Sequence, residues 1–156
     1  MRLALFEPDI PQNTGTILRL AACFRVSVDI IEPCGFVFSD RRMKRAGMDY
    51  IDQVDLTAHE SWAKFFENVR KDKKSRIVLL TTKAKSSHID FEFHPSDILL
   101  LGRESAGVPD DVHAAADARI VVPMAPETRS LNIAVSAAMV LGEALRQTDG
   151  FLKPNE

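Results

Sequence analysis

Three short segments of this chain combine backbone-shaping residues with side chains that can donate, accept or carry charge. The first runs from Glu7 to Gly15 and is followed by Arg19. Its prolines stiffen the chain, and we expect Asn13 or Thr14 to cap the helix that follows. Arg19 lies four residues after Gly15, so both can face one ligand from the same side of that helix. A capped helix with an ordinary surface arginine would account for the same residues.

The second segment, Leu99–Pro109, reads as a strand that runs into Gly102, Glu104 and Gly107. A Gly-x-Glu-x-x-Gly turn suits the binding of a nucleoside, because glycines expose backbone N–H and C=O groups. The spacing of a dinucleotide fingerprint is absent, and no Gly-Lys-Ser/Thr follows as in a phosphate-binding loop. An ordinary strand–loop–helix connection fits these residues equally well.

The third segment, Val121–Ser136, leads through two prolines into the last predicted helix. We expect Ser130 to cap that helix, whose first N–H groups could then face a ligand. Asn132 is expected inside the first turn, where its amide can donate and accept at once. A capped helix after a proline-rich turn would explain most of this pattern.

Strand-like and helix-like segments alternate along the chain, which predicts an α/β domain with a mostly parallel sheet and helices on both faces. The predicted strands are Leu3–Phe6, Val28–Ile31, Ile51–Val54, Ile77–Leu80, Ile98–Leu101 and Arg119–Val122. Four helices are predicted. The first carries Ile17, Leu20, Ala21 and Phe24 on one face, and the second is short and basic, at Asp40–Ala46. The third spans Glu60–Val69, and the fourth runs from Ser130 to about Gln147. Loops at Thr81–Lys85, Gly102–Pro109 and Pro123–Ser130 leave the carboxyl ends of strands, where ligands bind in such sheets.

Composition limits the class of protein. The 156 residues fit one domain, 1–156, and 46% hydrophobic with 27% charged residues is ordinary for a globular protein. No apolar run approaches the roughly 18 residues of a membrane span, and Glu7 comes too early for a secretory signal. Cys23 and Cys34 have no CxxC partner, and the histidines lack ligand spacing. We therefore expect a cytoplasmic protein without a disulfide framework or a metal.

Basic residues are bunched although the net charge is −2, which argues against nonspecific coating of nucleic acid. One bunch is Arg41, Arg42, Lys44 and Arg45, and the other is Arg70, Lys71, Lys73 and Lys74. Such bunching permits a local phosphate-binding face, but two solvated surfaces would look the same.

In this order, the three segments resemble the three motifs of the SPOUT-class RNA methyltransferases that modify ribose 2′-hydroxyls. The resemblance extends from Glu7 to Gln147. Pro11–Gly15, Arg45–Gly47, Leu80–Lys83 and Arg129–Asn132 are similar to the short TrmL-type branch, which methylates the wobble nucleotide of tRNA without an appended RNA-binding domain.

The resemblance implies that the C-terminal segment forms a deep trefoil knot and that the knotted loops bind S-adenosylmethionine. It also implies a homodimer, with each active site built from both subunits. By motif position, the cofactor-binding residues would be Leu80, Thr81, Gly102, Val122, Met124, Ser130 and Leu131.

The resemblance further assigns catalytic roles to Arg19, Asn13, Glu104 and Asn132. Arg19 stays protonated under ordinary conditions, so we prefer phosphate binding and alkoxide stabilisation to the base role also proposed in the family. The other three would orient substrate and cofactor. The first basic bunch, from Arg41 to Arg45, would face RNA at the anticodon stem-loop of tRNA.

One departure from the family concerns the last helix, where TrmL-type enzymes usually carry a tyrosine before Glu-Ala and this chain has Gly142. Substrate identity and dimer geometry therefore stay open, with cytidine or modified uridine at position 34, in tRNA-Leu, as the expectation. The alternatives are another tRNA or rRNA position and a non-catalytic RNA-binding protein. A flavodoxin-like domain would need a phosphate-cradling loop after the first strand, where Glu7–Pro11 is acidic and stiff.

Overall fold

The computed structural model describes residues 1–37 and 51–153, with only the backbone of Ile51. The strands are β1 (Arg2–Phe6), β2 (Ser27–Ile31), β3 (Leu56–His59), β4 (Arg76–Leu80), β5 (Ser86–Ser87), β6 (Asp97–Leu101) and β7 (Ala118–Val121). The helices are α1 (Pro11–Phe24), α2 (Trp62–Lys71), α3 (Asp110–Ala115) and α4 (Ile133–Gln147). The predicted basic helix and its residues Arg41, Arg42, Lys44 and Arg45 lie outside the described residues.

The strands form one sheet in the order β3-β2-β1-β6-β4-β7-β5, and each neighbouring pair is parallel. The carboxyl ends of β4, β6 and β7 therefore meet at the same edge. This arrangement confirms the predicted α/β class with a mostly parallel sheet. The predicted knot stays a prediction, because strand order establishes neighbours rather than the threading of the chain.

Helices cover both faces of the sheet, as predicted. Successive side chains of β1 point to opposite faces, so Leu3 and Leu5 join α1 and α4 in one core. On the other face, Ala4 and Phe6 pack with residues of α2 and α3. Phe65 of α2 is fully buried there, a contribution of roughly 1.5–3 kcal/mol relative to leaving it exposed.

The start of α1 differs from the prediction that Asn13 or Thr14 caps this helix. The helix begins at Pro11, with Ile10 as an N-cap that makes no side-chain cap hydrogen bond. The predicted caps, Asn13 and Thr14, lie inside the helix and were wrong. Proline at the first helical position explains the early start, because its fixed φ suits the helix and its missing N–H needs no partner there.

The region before α2 was also predicted incorrectly. Ile51–Gln53 forms a 3-10 turn instead of a strand, and the strand is β3, where Val28 is in register with Leu56. The helix predicted from Glu60 begins at Trp62, because the Ser61 side chain accepts a hydrogen bond from the backbone N–H of Lys64 at 3.3 Å. β5 and α3, which are two and six residues long, had no prediction.

The last helix, α4, begins at Ile133 rather than Ser130, and its N-cap is Asn132. Predicting Ser130 as the cap was wrong, because the side chain that reaches the first helical N–H groups is that of Asn132. Within residues 1–37 and 51–153, none of the helices has the length and apolar character that a membrane crossing requires.

Candidate active site

Three loops at the carboxyl edge of the sheet enclose a cleft of about 450 Å³. They follow β4, β6 and β7, and the first turns of α1 and α4 close the remaining sides. This volume lies in the range of small-molecule sites, roughly 300–1,000 Å³. All seven residues predicted to bind a cofactor line it, namely Leu80, Thr81, Gly102, Val122, Met124, Ser130 and Leu131.

Two glycines, Gly102 and Gly107, allow the loop after β6 to fold back tightly on itself. A Cβ atom added to Gly102 would lie 2.7 Å from the carbonyl carbon of Gly107, and Gly107 has φ +66°. Arg103 and Gly107 exchange backbone hydrogen bonds, both of 2.8 Å. The shape of the loop therefore explains both glycines without a ligand, and it places residue 104 at the tip of a tight turn.

Asn132 uses both ends of its side-chain amide at the start of α4. Its Oδ1 accepts hydrogen bonds from the backbone N–H of Ala134 at 2.9 Å and of Val135 at 3.3 Å. Its Nδ2 donates to Oδ1 of Asn13 at 2.9 Å. The expectation that this helix offers its first N–H groups to a ligand is therefore wrong for Ala134 and Val135, whose N–H groups the cap already occupies.

Asn13 extends this connection to Glu104. Its Nδ2 donates to Oε1 of Glu104 at 3.3 Å, while the backbone N–H of Asp9 donates to Oε2 at 2.8 Å. A continuous hydrogen-bonded chain thus runs from Asn132 through Asn13 to Glu104. Three of the four predicted catalytic residues come together at the cleft, although Asn13 and Asn132 are 119 positions apart in the sequence.

Arg19 is the predicted catalytic residue that the structure does not place among the cleft-lining residues. It is exposed on α1, further along the helix than Asn13. Its catalytic role therefore stays a prediction.

The sequence motifs do not predict a set of charged contacts that Arg103 makes at the cleft. The guanidinium of Arg103 donates from Nε to Oδ1 of Asp9 at 3.3 Å and from Nη1 to Oε2 of Glu7 at 3.2 Å. Asp9 also accepts hydrogen bonds from Ser105, and the hydroxyl of that serine is the main reason why the pKa of Asp9 lies below its ordinary value. Nothing in the local pattern marks this pairing, because Asp9 and Ser105 are 96 positions apart.

The cleft combines an apolar floor with polar groups on its rim. Leu79, Leu101 and Ile120 form part of the floor, and Glu104 presents a carboxylate held from one side by two N–H donors. Such a site can pack against the flat aromatic face of a nucleobase and accept hydrogen bonds from the amino or hydroxyl groups of a nucleoside. Among residues 1–37 and 51–153, no group of His, Cys, Asp and Glu is arranged to hold a metal ion.

Comparison with known proteins shows the family of this chain. Residues 1–142 match the model of the SpoU rRNA Methylase family. A tRNA (cytidine(34)-2'-O)-methyltransferase of Beijerinckia indica is 60% identical over 151 residues, covering 97% of this chain and 94% of the relative.

Solved structures agree with this match. One described as giving structural insights into the 2-OH methylation of C/U34 on tRNA has a TM-score of 0.86 and 38% identity, covering 94% of each chain. The SpoU methyltransferase AviRb from Streptomyces viridochromogenes, in complex with the cofactor AdoMet, shares the fold with a TM-score of 0.84 at 24% identity, over 94% of this chain and 57% of that one. The predicted SPOUT-class resemblance and methyltransferase activity are confirmed, and the chain belongs to the SpoU rRNA methylase family.

Proposed function

We propose that this chain transfers a methyl group from S-adenosylmethionine to the ribose 2′-hydroxyl of the wobble nucleotide, position 34, of tRNA. The nucleotide is cytidine or a modified uridine, and tRNA-Leu is the expected substrate. The observation that supports this most directly is the cleft at which the three motif loops meet, with Asn13, Glu104 and Asn132 joined by hydrogen bonds. The family name refers to rRNA, but relatives matched along nearly their whole length carry a tRNA name.

The residues of the cleft fit the proposed cofactor. Its volume and apolar floor suit an adenosine, and its polar rim suits ribose hydroxyl groups. We assign the binding of S-adenosylmethionine to the seven predicted residues from Leu80 to Leu131 that line the cleft. When bound, S-adenosylmethionine supplies an electrophilic methyl group on a sulfonium.

The protein's task is then to align a ribose 2′-oxygen and to accommodate the proton that it loses. Glu104, Asn13 and Asn132 orient the reacting groups, because each is fixed by hydrogen bonds that limit its movement. Arg19 contributes a permanent positive charge that binds the phosphate of the target nucleotide and stabilises the forming alkoxide. Because Arg19 does not line the cleft of its own protomer, we assign it to the cleft of a second copy.

A homodimer is supported by the exposed face beside the cleft. Leu131, Val135 and Met139 repeat every four residues and are 39%, 49% and 43% exposed. Exposed apolar side chains that lie together are one mark of a protein–protein interface, and this favours a second copy of the chain here. Gly142 lies further along α4, and a Cβ atom added there would meet open space. The protomer therefore does not require glycine at this position, so the departure from the family tyrosine concerns the partner subunit or the RNA.

Recognition of the tRNA anticodon stem-loop is assigned to the basic residues Arg41, Arg42, Lys44 and Arg45. We propose that residues 1–156 form a single methyltransferase domain that works in the cytoplasm. Neutralising these four side chains is expected to weaken tRNA binding and to reduce its dependence on salt. Filter binding of tRNA at several salt concentrations measures both effects, and unchanged affinity and slope would contradict the assignment.

The proposed function is tested by nucleoside mass spectrometry of tRNA from cells that lack this protein. We expect one 2′-O-methyl nucleoside to disappear from position 34 and to return when the gene is restored. Loss of a 2′-O-methyl group at another tRNA or rRNA position would favour the alternative substrate. An unchanged profile, together with purified protein that binds RNA but not S-adenosylmethionine, would favour a non-catalytic RNA-binding protein.

A further inference from the structure

Asp9 contacts three consecutive residues of the loop after β6. Its backbone N–H donates to Oε2 of Glu104 at 2.8 Å. Its carboxylate accepts from Nε of Arg103 at 3.3 Å and from the backbone N–H of Ser105 at 3.1 Å, as well as from the hydroxyl of Ser105. Asp9 therefore holds Glu104 directly and also holds the residues on both sides of it.

The backbone around Asp9 is itself held in place by close contacts with Gly35. The backbone N–H of Gly35 donates to the carbonyl of Pro8 at 2.9 Å, and a Cβ atom at Gly35 would lie only 3.0 Å from the Cα of Asp9. Arg103 pairs with both Asp9 and Glu7, so two ionic contacts join the loop after β6 to the segment that follows β1. With its side chain only 18% exposed, Asp9 has little room to move away from these partners.

We propose that Asp9 is a positioning residue for methyl transfer, which fixes the carboxylate of Glu104 by clamping the loop that carries it. This inference rests on the proposed function. Its physical basis is that Glu104 lies in a short glycine-closed turn and takes its orientation from Asp9 and from Asn13 of α1 rather than from the sheet. If Asp9 releases Arg103 and Ser105, the turn can shift relative to Asn13, and a misplacement of about 1 Å can cost roughly 100-fold in rate.

The clamp depends on an ionised carboxylate. Two oxygens accept from two different sets of donors, Arg103 on one and Ser105 on the other. The pKa of Asp9 lies below its ordinary value, mainly because the Ser105 hydroxyl donates to it, so the charge is present at neutral pH. An amide in place of the carboxylate would turn an NH₂ group toward one of these donors, and one contact would be lost.

The test is Asp9→Asn, with Asp72→Asn as the matched control. Asp72 also accepts from a backbone N–H, that of Lys74 at 3.0 Å, and from a serine hydroxyl, that of Ser75 at 2.7 Å. Its pKa is also lowered, mainly by the Lys74 hydrogen bond, but it lies just after α2 and does not line the cleft. We expect Asp9→Asn to lower kcat roughly 10- to 100-fold with KM for tRNA changed less than about threefold, and Asp72→Asn to match the wild type.

A second measurement separates positioning from a merely structural role. If Asp9 acts through Glu104, then Asp9→Asn added to a Glu104→Gln enzyme should cost less than about threefold further in kcat. Ser105 is exposed, so Ser105→Ala leaves the buried core unchanged. In an otherwise wild-type enzyme this variant should reproduce part of the loss in kcat. The inference is overturned if Asp9→Asn keeps full kcat, or if its loss is undiminished in the Glu104→Gln background. Wild-type protein without any methyl transfer would instead overturn the proposed function.

Discussion

Replacing Asn132 separates two contributions that the structure assigns to one side chain. In Asn132→Ala, α4 loses its cap bonds to Ala134 and Val135, which costs about 1 kcal/mol. The variant also loses the hydrogen bond to Asn13, worth about 1 kcal/mol net. The free energy of unfolding should therefore fall by about 2 kcal/mol, which lowers Tm by roughly 4–8 °C for a chain of this size.

The matched variant Asn132→Asp isolates the connection to Asn13. Aspartate caps a helix about as well as asparagine, but it has no N–H with which to donate to Oδ1 of Asn13. Its free energy of unfolding should fall by about 1 kcal/mol, because only the Asn13 hydrogen bond is lost, while kcat falls roughly 10-fold or more because Asn13 and Glu104 lose an anchor.

Urea unfolding followed by circular dichroism measures the stability of both variants, and steady-state methyl transfer to tRNA measures their kcat. The reasoning is refuted if Asn132→Asp retains full activity, since the Asn13 contact would then be unused. It is also refuted if Asn132→Ala unfolds at the same urea concentration as the wild type, since the cap would then contribute nothing.

Three further predictions follow from local geometry. Gly102→Ala should destabilise the protein by roughly 1–3 kcal/mol and abolish the cofactor binding measured by calorimetry, because the new methyl group would lie 2.7 Å from the backbone of Gly107. In the control Gly142→Ala, the methyl group meets open space and should stabilise α4 by up to about 1 kcal/mol. Asp29→Ala should cost about 1–3 kcal/mol in urea unfolding, because the buried carboxylate accepts a hydrogen bond from Arg2 and pairs with the buried ring of His59, and an unchanged unfolding curve would contradict this. Hydrogen bonds from Arg146 and then Gln147 lower the pKa of Glu143 to about 2. The stability that they contribute to the folded protein is therefore present above pH 4.5 and is lost as the pH falls through 2. In Arg146→Gln, carboxyl NMR should show the titration midpoint of Glu143 rising toward 4.5.

The buried strands could be located from the sequence because their environment is uniform. β4 and β6 were predicted within one residue, since both faces of the sheet are covered and each strand is an uninterrupted apolar run. β3 could not be found in the same way, because Thr57 and Ala58 are exposed and the strand exists through its pairing with β2.

The cleft could be predicted in part, because parallel strands bring their carboxyl ends to one edge and the motif loops start there. The prediction of the α4 cap was wrong because Ser130 and Asn132 are both good capping residues, and the contact that distinguishes them comes from Asn13 in a distant segment. The contacts of Asp9 could not be predicted for the same reason, since its partners lie in the loop after β6. The knot, the role of Arg19 and the RNA contacts stay predictions.

The proposed function requires that this cleft methylates a ribose 2′-hydroxyl at the wobble position. The direct measurement uses purified protein, S-adenosylmethionine with a labelled methyl group, and two tRNA substrates that differ only in a 2′-hydroxyl or 2′-deoxy group at position 34. We expect one labelled methyl group per tRNA at position 34, located by nuclease digestion and mass spectrometry, and none in the deoxy substrate. Equal labelling of both substrates, or no labelling of either, would contradict the account.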